Sequence, residues 1–262
     1  MSSGEHAMNP FVIIFSIILL TSLLLTGVMV FLRKRFFRPE LVSRQQIHSS
    51  IFSFFATLYA FFLGFAIVTL WSAFLHAKAD VIKEANTLMR AFQISSILPN
   101  SQGVRQTLMD YVKGVRDEEW PEMDRNSQMH GPTGKRFDIV WDRYLRTRPK
   151  NGSDNDLYVS LGSYLHEASG YRTARELCLK GNLYPPVWVL IVFGFLSMIY
   201  CLYVTNIQQN PAQVIFEVVV IFFVLSFIYF IADINNPFSG TINVLPDPFD
   251  RAYQKMLELQ GP

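Results

Sequence analysis

The chain has 262 residues, half of them hydrophobic and only 17% charged, with a formal net charge of +2. An ordinary soluble domain carries about 25% charged residues, so the composition argues against one, and a balance this close to neutral gives no argument for a nucleic-acid partner. Two cysteines, Cys178 and Cys201, are too few for a disulfide framework or a metal cluster and read as small packing residues.

The missing charge is concentrated in a few stretches. From Pro10 to Leu32 there is no Asp, Glu, Lys or Arg, and from Ser49 to Leu75 there is none again. Each run exceeds the ~20 apolar residues that span a ~30 Å hydrocarbon core. The first is expected to stay in the membrane: its leader holds Glu5 and His6 but no Lys or Arg, and no small-x-small cleavage site follows. A third uncharged stretch runs from Asn182 to Phe216, and a fourth apolar run from Val214 to Ala232 is broken only by Glu217. The polar cluster from Asn206 to Pro211 separates these two. The runs are continuously apolar, without the alternation of a barrel strand. They are therefore helices, whose backbone satisfies its own hydrogen bonds in lipid.

Between the second and third spans, the segment from Lys78 to Gly181 predicts four helices. Val81, Ala85, Leu88 and Phe92 recur at helical spacing with no Gly or Pro before them, so this helix continues the second span and stops at Pro99. A second helix is predicted over 101–120, with Val104, Leu108, Tyr111, Val112 and Val115 on one face and Pro121 as its end. A loop with Gly131, Pro132 and Gly134 leads to a third over 135–148. The fourth starts with Ser153 and Asp156 in capping-box spacing and runs down to the third span. After the fourth span come a turn-rich loop, 235–240, and a short amphipathic helix over 248–259. The apolar Phe249, Ala252, Tyr253 and Met256 of that helix would lie on the membrane surface or on the middle domain.

The expected fold class is all-α: a polytopic membrane protein of four transmembrane helices with a helical domain inserted between the second and third. Its parts are an N-terminal hairpin, 1–76 (spans 10–32 and 49–75), a polar domain, 77–182, a C-terminal hairpin, 183–234 (spans 186–205 and 213–232), and a tail, 235–262. Four crossings put both termini and the middle domain on one side. The first short loop holds Arg33, Lys34, Arg35, Arg38 and Arg44, which places it in the cytoplasm by the positive-inside rule.

Several residues resemble a family. Glu84-Ala-Asn-Thr-Leu88, Tyr111-Val112 with Glu119-Trp-Pro121, the approach from Arg172 to Pro185, and Asp233-Ile-Asn-Asn-Pro-Phe-Ser-Gly240 are similar to the bacterial DUF4239 family of membrane proteins, also called bestrophin-like. Phe61-Phe-Leu-Gly-Phe65 looks like the corresponding helix of bestrophin anion channels. The resemblance implies a bacterial inner membrane, a homo-oligomer (a pentamer in bestrophins), and an ion channel for small anions with the second span around its axis. Carried over by position, the constriction falls on Thr57, Phe61 and Phe65, with Gly64 allowing close helix approach. Phe61 and Phe65 would otherwise face lipid or a neighbouring helix. The resemblance also implies a cytoplasmic middle domain, opposite to the reading from the basic loop.

Glu217 stands about one turn into its span, where a charge is costly. It would reach the interface, or pair with the Arg33 to Arg35 cluster if it lies deeper. In the family-motif loop, Pro237 and Gly240 would fix a turn beside Phe238, while the Asp233 carboxylate would cap a helix or pair with Arg172 or Arg175. Basic residues at both ends of the middle domain would attract anions or contact lipid head groups. No HExxH, GxSxG, Walker or GxGxxG motif is present. His166 and Glu167 beside Arg172 form the nearest polar constellation, so neither catalysis nor a cofactor is expected. The alternative to a channel is a non-conducting scaffold or sensor whose helical domain binds a partner, consistent with the absence of charge from the core of the second span.

Overall fold

The computed structural model describes residues 10–36, 45–147, 149–205 and 211–260. The expectations for Arg38, Arg44 and the 206–210 turn fall outside these. Among the described residues all regular structure is helical: α1 (Pro10–Phe36), α2 (Gln45–Ile97), α3 (Gln102–Gly114), α4 (Trp120–Asn126), α5 (Gly131–Arg146), α6 (Gly152–Cys178), α7 (Pro185–Thr205), α8 (Pro211–Ile234) and α9 (Asp247–Gln260). Four of these, α1, α2, α7 and α8, are long and apolar enough to cross a membrane. The chain is an all-α, multi-pass membrane protein. It folds as two compact units, Met1–Leu70 with Leu183–Ala232 and Trp71–Asn182 with Asp233–Pro262.

In the first unit the outer surface is as apolar as the interior, and the polar Ser22, Thr26 and Arg33 of α1 are turned inward. The buried stripe of α1 is Ile18, Ser22, Thr26, Met29 and Arg33, at helical spacing, while Leu20, Leu24 and Phe31 point outward. Lipid solvates leucine as well as a protein core does, so association there relies on small and hydrogen-bonding residues. On α2 the inward stripe is Tyr59, Leu63, Ala66 and Leu70. The Tyr59 hydroxyl donates to the Ile191 carbonyl of α7 at 2.8 Å. A Cβ at Gly194 would run into the Tyr59 ring, so glycine is what lets this ring lie on α7.

The second unit packs the far half of α2 with α3 to α6, the 233–246 loop and α9 around a conventional apolar core. Here the structure corrects three boundaries. The helix predicted to end at Pro121 continues: a π-helical turn, Val115–Glu119, passes directly into α4, which ends at Ser127 with φ 51°. The wider π turn accommodates the carbonyl that a proline ring would strike in a regular helix. Next, α5 starts at Gly131, four residues early, because Pro132 sits in the first turn where its missing N–H goes unused. Finally, α6 is capped by Asn151, whose side chain accepts from the Asp154 amide at 2.8 Å, so the cap lies two residues ahead of the predicted Ser153 box. Of the two positions open to α9, the structure takes the domain: Phe249, Ala252 and Met256 are buried in this core.

Candidate functional site

The anchored face of α2 determines what its other face presents. With Tyr59, Leu63 and Leu70 turned inward, Thr57, Phe61 and Phe65 turn away from the chain's own helices, while Gly64 borders a cavity shared with Met198 of α7 and with Val224 and Phe227 of α8. Phe61 is 75% exposed and Phe65 67%. Thr57 directs its hydroxyl proton to the Ser53 carbonyl at 2.8 Å, so it presents an oxygen and a methyl group outward. A Cβ at Gly64 would meet nothing within 4 Å, so the close approach expected there is not made within one chain. Arranged around an axis, two turns of phenyl rings form a dry constriction whose ion passage depends on width and hydration.

Of the two outcomes expected for Glu217, the structure shows the pairing with the basic cluster, through Arg33. Its carboxylate forms a fork with Arg33, at 2.6 Å to Nη2 and 3.1 Å to Nη1, and both side chains are about 2% exposed. Arg33 also donates from Nε to the Tyr203 carbonyl at 3.0 Å and from Nη2 to that of Leu202 at 2.7 Å. These are last-turn carbonyls of α7, which carry the negative end of the helix dipole. The arginine therefore caps α7 while α8 neutralises it.

The second unit holds a larger buried network that was not legible in the sequence as a site. Arg175 on α6 donates from Nε and Nη2 to the two oxygens of Glu84 on α2, at 2.9 and 3.0 Å. Tyr111 on α3 donates to the same Glu84 Oε1 at 3.1 Å. Arg175 Nη1 lies 2.8 Å from Glu119 Oε1, but its protons are directed at Met123 Sδ (3.1 Å) and Met129 Sδ (3.9 Å). The contact is thus an ion pair without an aligned hydrogen bond. Among the described residues neither Glu119 oxygen accepts one, although Arg172 comes within 3.6 Å of the carboxylate. The rings of Trp120 and Phe249 lie 5.6 and 5.7 Å from the Arg175 guanidinium carbon. Burial alone would lower the Arg175 pKa, but the carboxylates of Glu84 and Glu119 outweigh it and hold the guanidinium fully charged. The Tyr111 phenol is pushed up, by burial first and then by Glu84.

One signal for this network is present in the sequence: Glu84, Glu119 and Arg175 occupy core-facing positions of their helical patterns, and a charge at such a position implies a buried partner. Their sequence neighbourhoods otherwise stand out only for the family resemblance.

In the 233–240 loop Asp233 takes neither role expected of it, helix cap or partner of Arg172 or Arg175: it closes the loop on itself. Its carboxylate receives the backbone amides of Thr241 and Ile242, both at 2.9 Å, while Arg172 and Arg175 are drawn to Glu119 and Glu84 instead. Gly240 has φ +93°, and a Cβ there would collide with the Asp233 carboxylate, so glycine is required twice over. Phe238 is buried edge-on against Trp120, and the Pro237 carbonyl accepts from the Val244 amide at 2.8 Å. The loop thereby joins the core around Arg175.

Both cysteines are half-buried thiols outside any disulfide, and burial pushes the Cys178 thiol up, away from reactivity. Glu167 accepts from the Tyr171 hydroxyl at 3.0 Å. Among the described residues no group of His, Cys, Asp or Glu is placed to hold a metal ion.

A family model described as a Bestrophin-like domain matches residues 18–249. No curated protein matches the chain. Among solved structures, a point mutant of a bacterial bestrophin homologue from Klebsiella pneumoniae is similar at TM-score 0.66 and 15% identity, covering 95% of this chain and 99% of that one. The same homologue phased on zinc is similar at TM-score 0.67 and 16% identity, covering 94% and 98%. A further crystal structure, described as that of a membrane protein, is similar at TM-score 0.70 and 12% identity, covering 95% and 99%. At these identities the likeness concerns the fold.

Proposed function

The chain belongs to the Bestrophin-like family, and from that premise we propose that it is a homo-oligomeric ion channel passing small anions, with α2 around the central axis and Thr57, Phe61 and Phe65 as its constriction. The observation that carries this reading is the division of α2 into two faces. One face is fastened to α7 through Tyr59, while the other carries Phe61 and Phe65 at 75% and 67% exposure. A fastened rear face gives every copy the same rotation of α2, which a ring of identical side chains requires. Five copies are the number expected from the family resemblance.

Orientation depends on which of two influences prevails. The family resemblance points to a cytoplasmic second unit. The loop charge points the other way, although its first member, Arg33, is neutralised by Glu217. Labelling of Leu245→Cys in intact cells with a membrane-impermeant maleimide, in a background lacking Cys178 and Cys201, reads the side directly.

The function is tested with purified protein in planar bilayers under a chloride gradient. Chloride-selective currents are expected, and Phe61→Ala should raise conductance severalfold by widening and wetting the constriction. A protein that is monomeric by native mass measurement and silent in chloride, sodium and potassium gradients overturns the proposal.

A further inference from the structure

We propose that the second unit carries a binding site for a zwitterionic phospholipid headgroup, one holding both a phosphodiester and a primary ammonium. The site is a cleft of about 160 Å³ between α2 and the start of α9, lined among others by Lys78, Ile82, Asn243, Leu245, Asp247 and Arg251.

Its depth follows from α2 itself. The uncharged run ends at Leu75, and at 1.5 Å per residue Lys78 stands about 4.5 Å further along the same continuous helix. The headgroup layer is about 5–7 Å thick on each side of the hydrocarbon core, so with the end of the apolar run at that boundary Lys78, the first charged side chain beyond it, stands at headgroup level. Beside the cations the cleft exposes aliphatic side chains, Leu245 at 54% and Ile82 at 38%. Exposed aliphatic groups beside two cations suit the boundary where acyl chains meet phosphate.

The charges define the ligand further. Among the described residues, Lys78, Arg251 and Asp247 form no ion pair within the chain. Two cations can receive a phosphodiester, and the single carboxylate is left facing whatever is attached to it. A primary ammonium can donate hydrogen bonds to that carboxylate, a trimethylated ammonium cannot, and a glycerol headgroup offers it no positive charge.

The test uses the full-length protein in nanodiscs of equal parts phosphatidylethanolamine, phosphatidylglycerol and phosphatidylcholine, with native mass measurement of the lipids that stay bound. Phosphatidylethanolamine should be retained over each of the others by at least about threefold. Lys78→Gln with Arg251→Gln should reduce retention of all three, whereas Asp247→Asn should abolish the preference for ethanolamine over both choline and glycerol headgroups. Lys83→Gln with Lys255→Gln removes the same charge elsewhere on the exposed surface and should change nothing. These side chains are exposed, so unfolding midpoints should match the wild type and show that the variants fold. Retention in the mixing ratio by the wild type, or identical retention by the cleft and control variants, overturns the proposal. So does displacement of the lipid by millimolar free phosphoethanolamine, which would identify a site for a soluble phosphate instead.

Discussion

Among the described residues each unit buries one arginine, Arg33 or Arg175, and the two are accommodated differently. In the membrane-spanning unit, Arg33 meets one carboxylate and two helix-end carbonyls, so four of its five N–H groups find an oxygen. In the polar unit, Arg175 lies between two carboxylates, with Arg172 at the edge restoring neutrality, and directs part of its hydrogen-bonding capacity at methionine sulfur and aromatic faces. Charge is balanced in both places. Only in the unit surrounded by lipid are the ionised groups nearly saturated with oxygen and nitrogen partners. Hydrocarbon supplies no water to a poorly matched group, whereas a domain in water has softer alternatives close at hand.

The most severe way to break this comparison is to remove the cation of the polar network. Arg175→Met leaves Glu84 with only the Tyr111 hydroxyl and Glu119 with only the more distant Arg172, and should cost about 3–5 kcal/mol, read as a large fall in the unfolding midpoint in detergent. Glu84→Gln should cost less, since the amide still accepts from Tyr111, and Glu119→Gln least, since no aligned hydrogen bond is lost. An equal cost for the two glutamates would show that charge alone, and not hydrogen-bond geometry, orders this core.

The membrane pair should give a smaller effect with a different signature. Glu217→Gln leaves Arg33 charged but still held by the carbonyls of Leu202 and Tyr203, for a loss of about 2–3 kcal/mol. Replacing both partners with Met should be milder than either single replacement, because no orphaned charge remains. If the double variant is instead the sum of the singles, the pair contributes attraction beyond mutual neutralisation.

The two regions also differ in how far their sequence could be read. The spans were legible because the hydrocarbon thickness fixes a minimum length, and the bounds of α7 and α8 differ from expectation by only a few residues. Glu217 could be narrowed to two positions, since a charge in an apolar run has few partners within reach and Arg33 was one. The network in the polar unit was not legible. Glu84, Glu119 and Arg175 are 35 and 56 residues apart in succession, and nothing local specifies that three helices converge on one guanidinium. Pro121 misled for a related reason: its effect on the chain depends on the π turn before it, which is set by the burial of Val115 and Glu119 against distant elements. The faces of Thr57, Phe61 and Phe65 depended in turn on Tyr59 and Gly194, a contact 135 residues apart.

The smallest effect comes from a neutral group in the polar unit and sharpens the contrast with its ion pairs. Tyr144 is buried and stacked on Tyr158, with ring centroids 4.5 Å apart. Burial, aided by a hydrogen bond with Tyr158, pushes its phenol up to about 12. In the unfolded chain the same phenol titrates near its ordinary value of about 10. A raised folded pKa gives stability that is complete below pH 10 and is lost as pH rises toward about 12, because only the unfolded chain readily releases the proton. Tyr111, also pushed up, adds to the same alkaline loss, so wild type alone cannot separate the two. The difference between wild type and Tyr144→Phe can. That variant lacks the titrating group but keeps the stacked ring, so any advantage of the wild type should shrink across this window and stay constant below it. A difference that does not change from neutral pH to pH 12 would mean that Tyr144 ionises as freely in the folded domain as in water, and that its ring is less enclosed than its packing against Tyr158 and Trp141 implies.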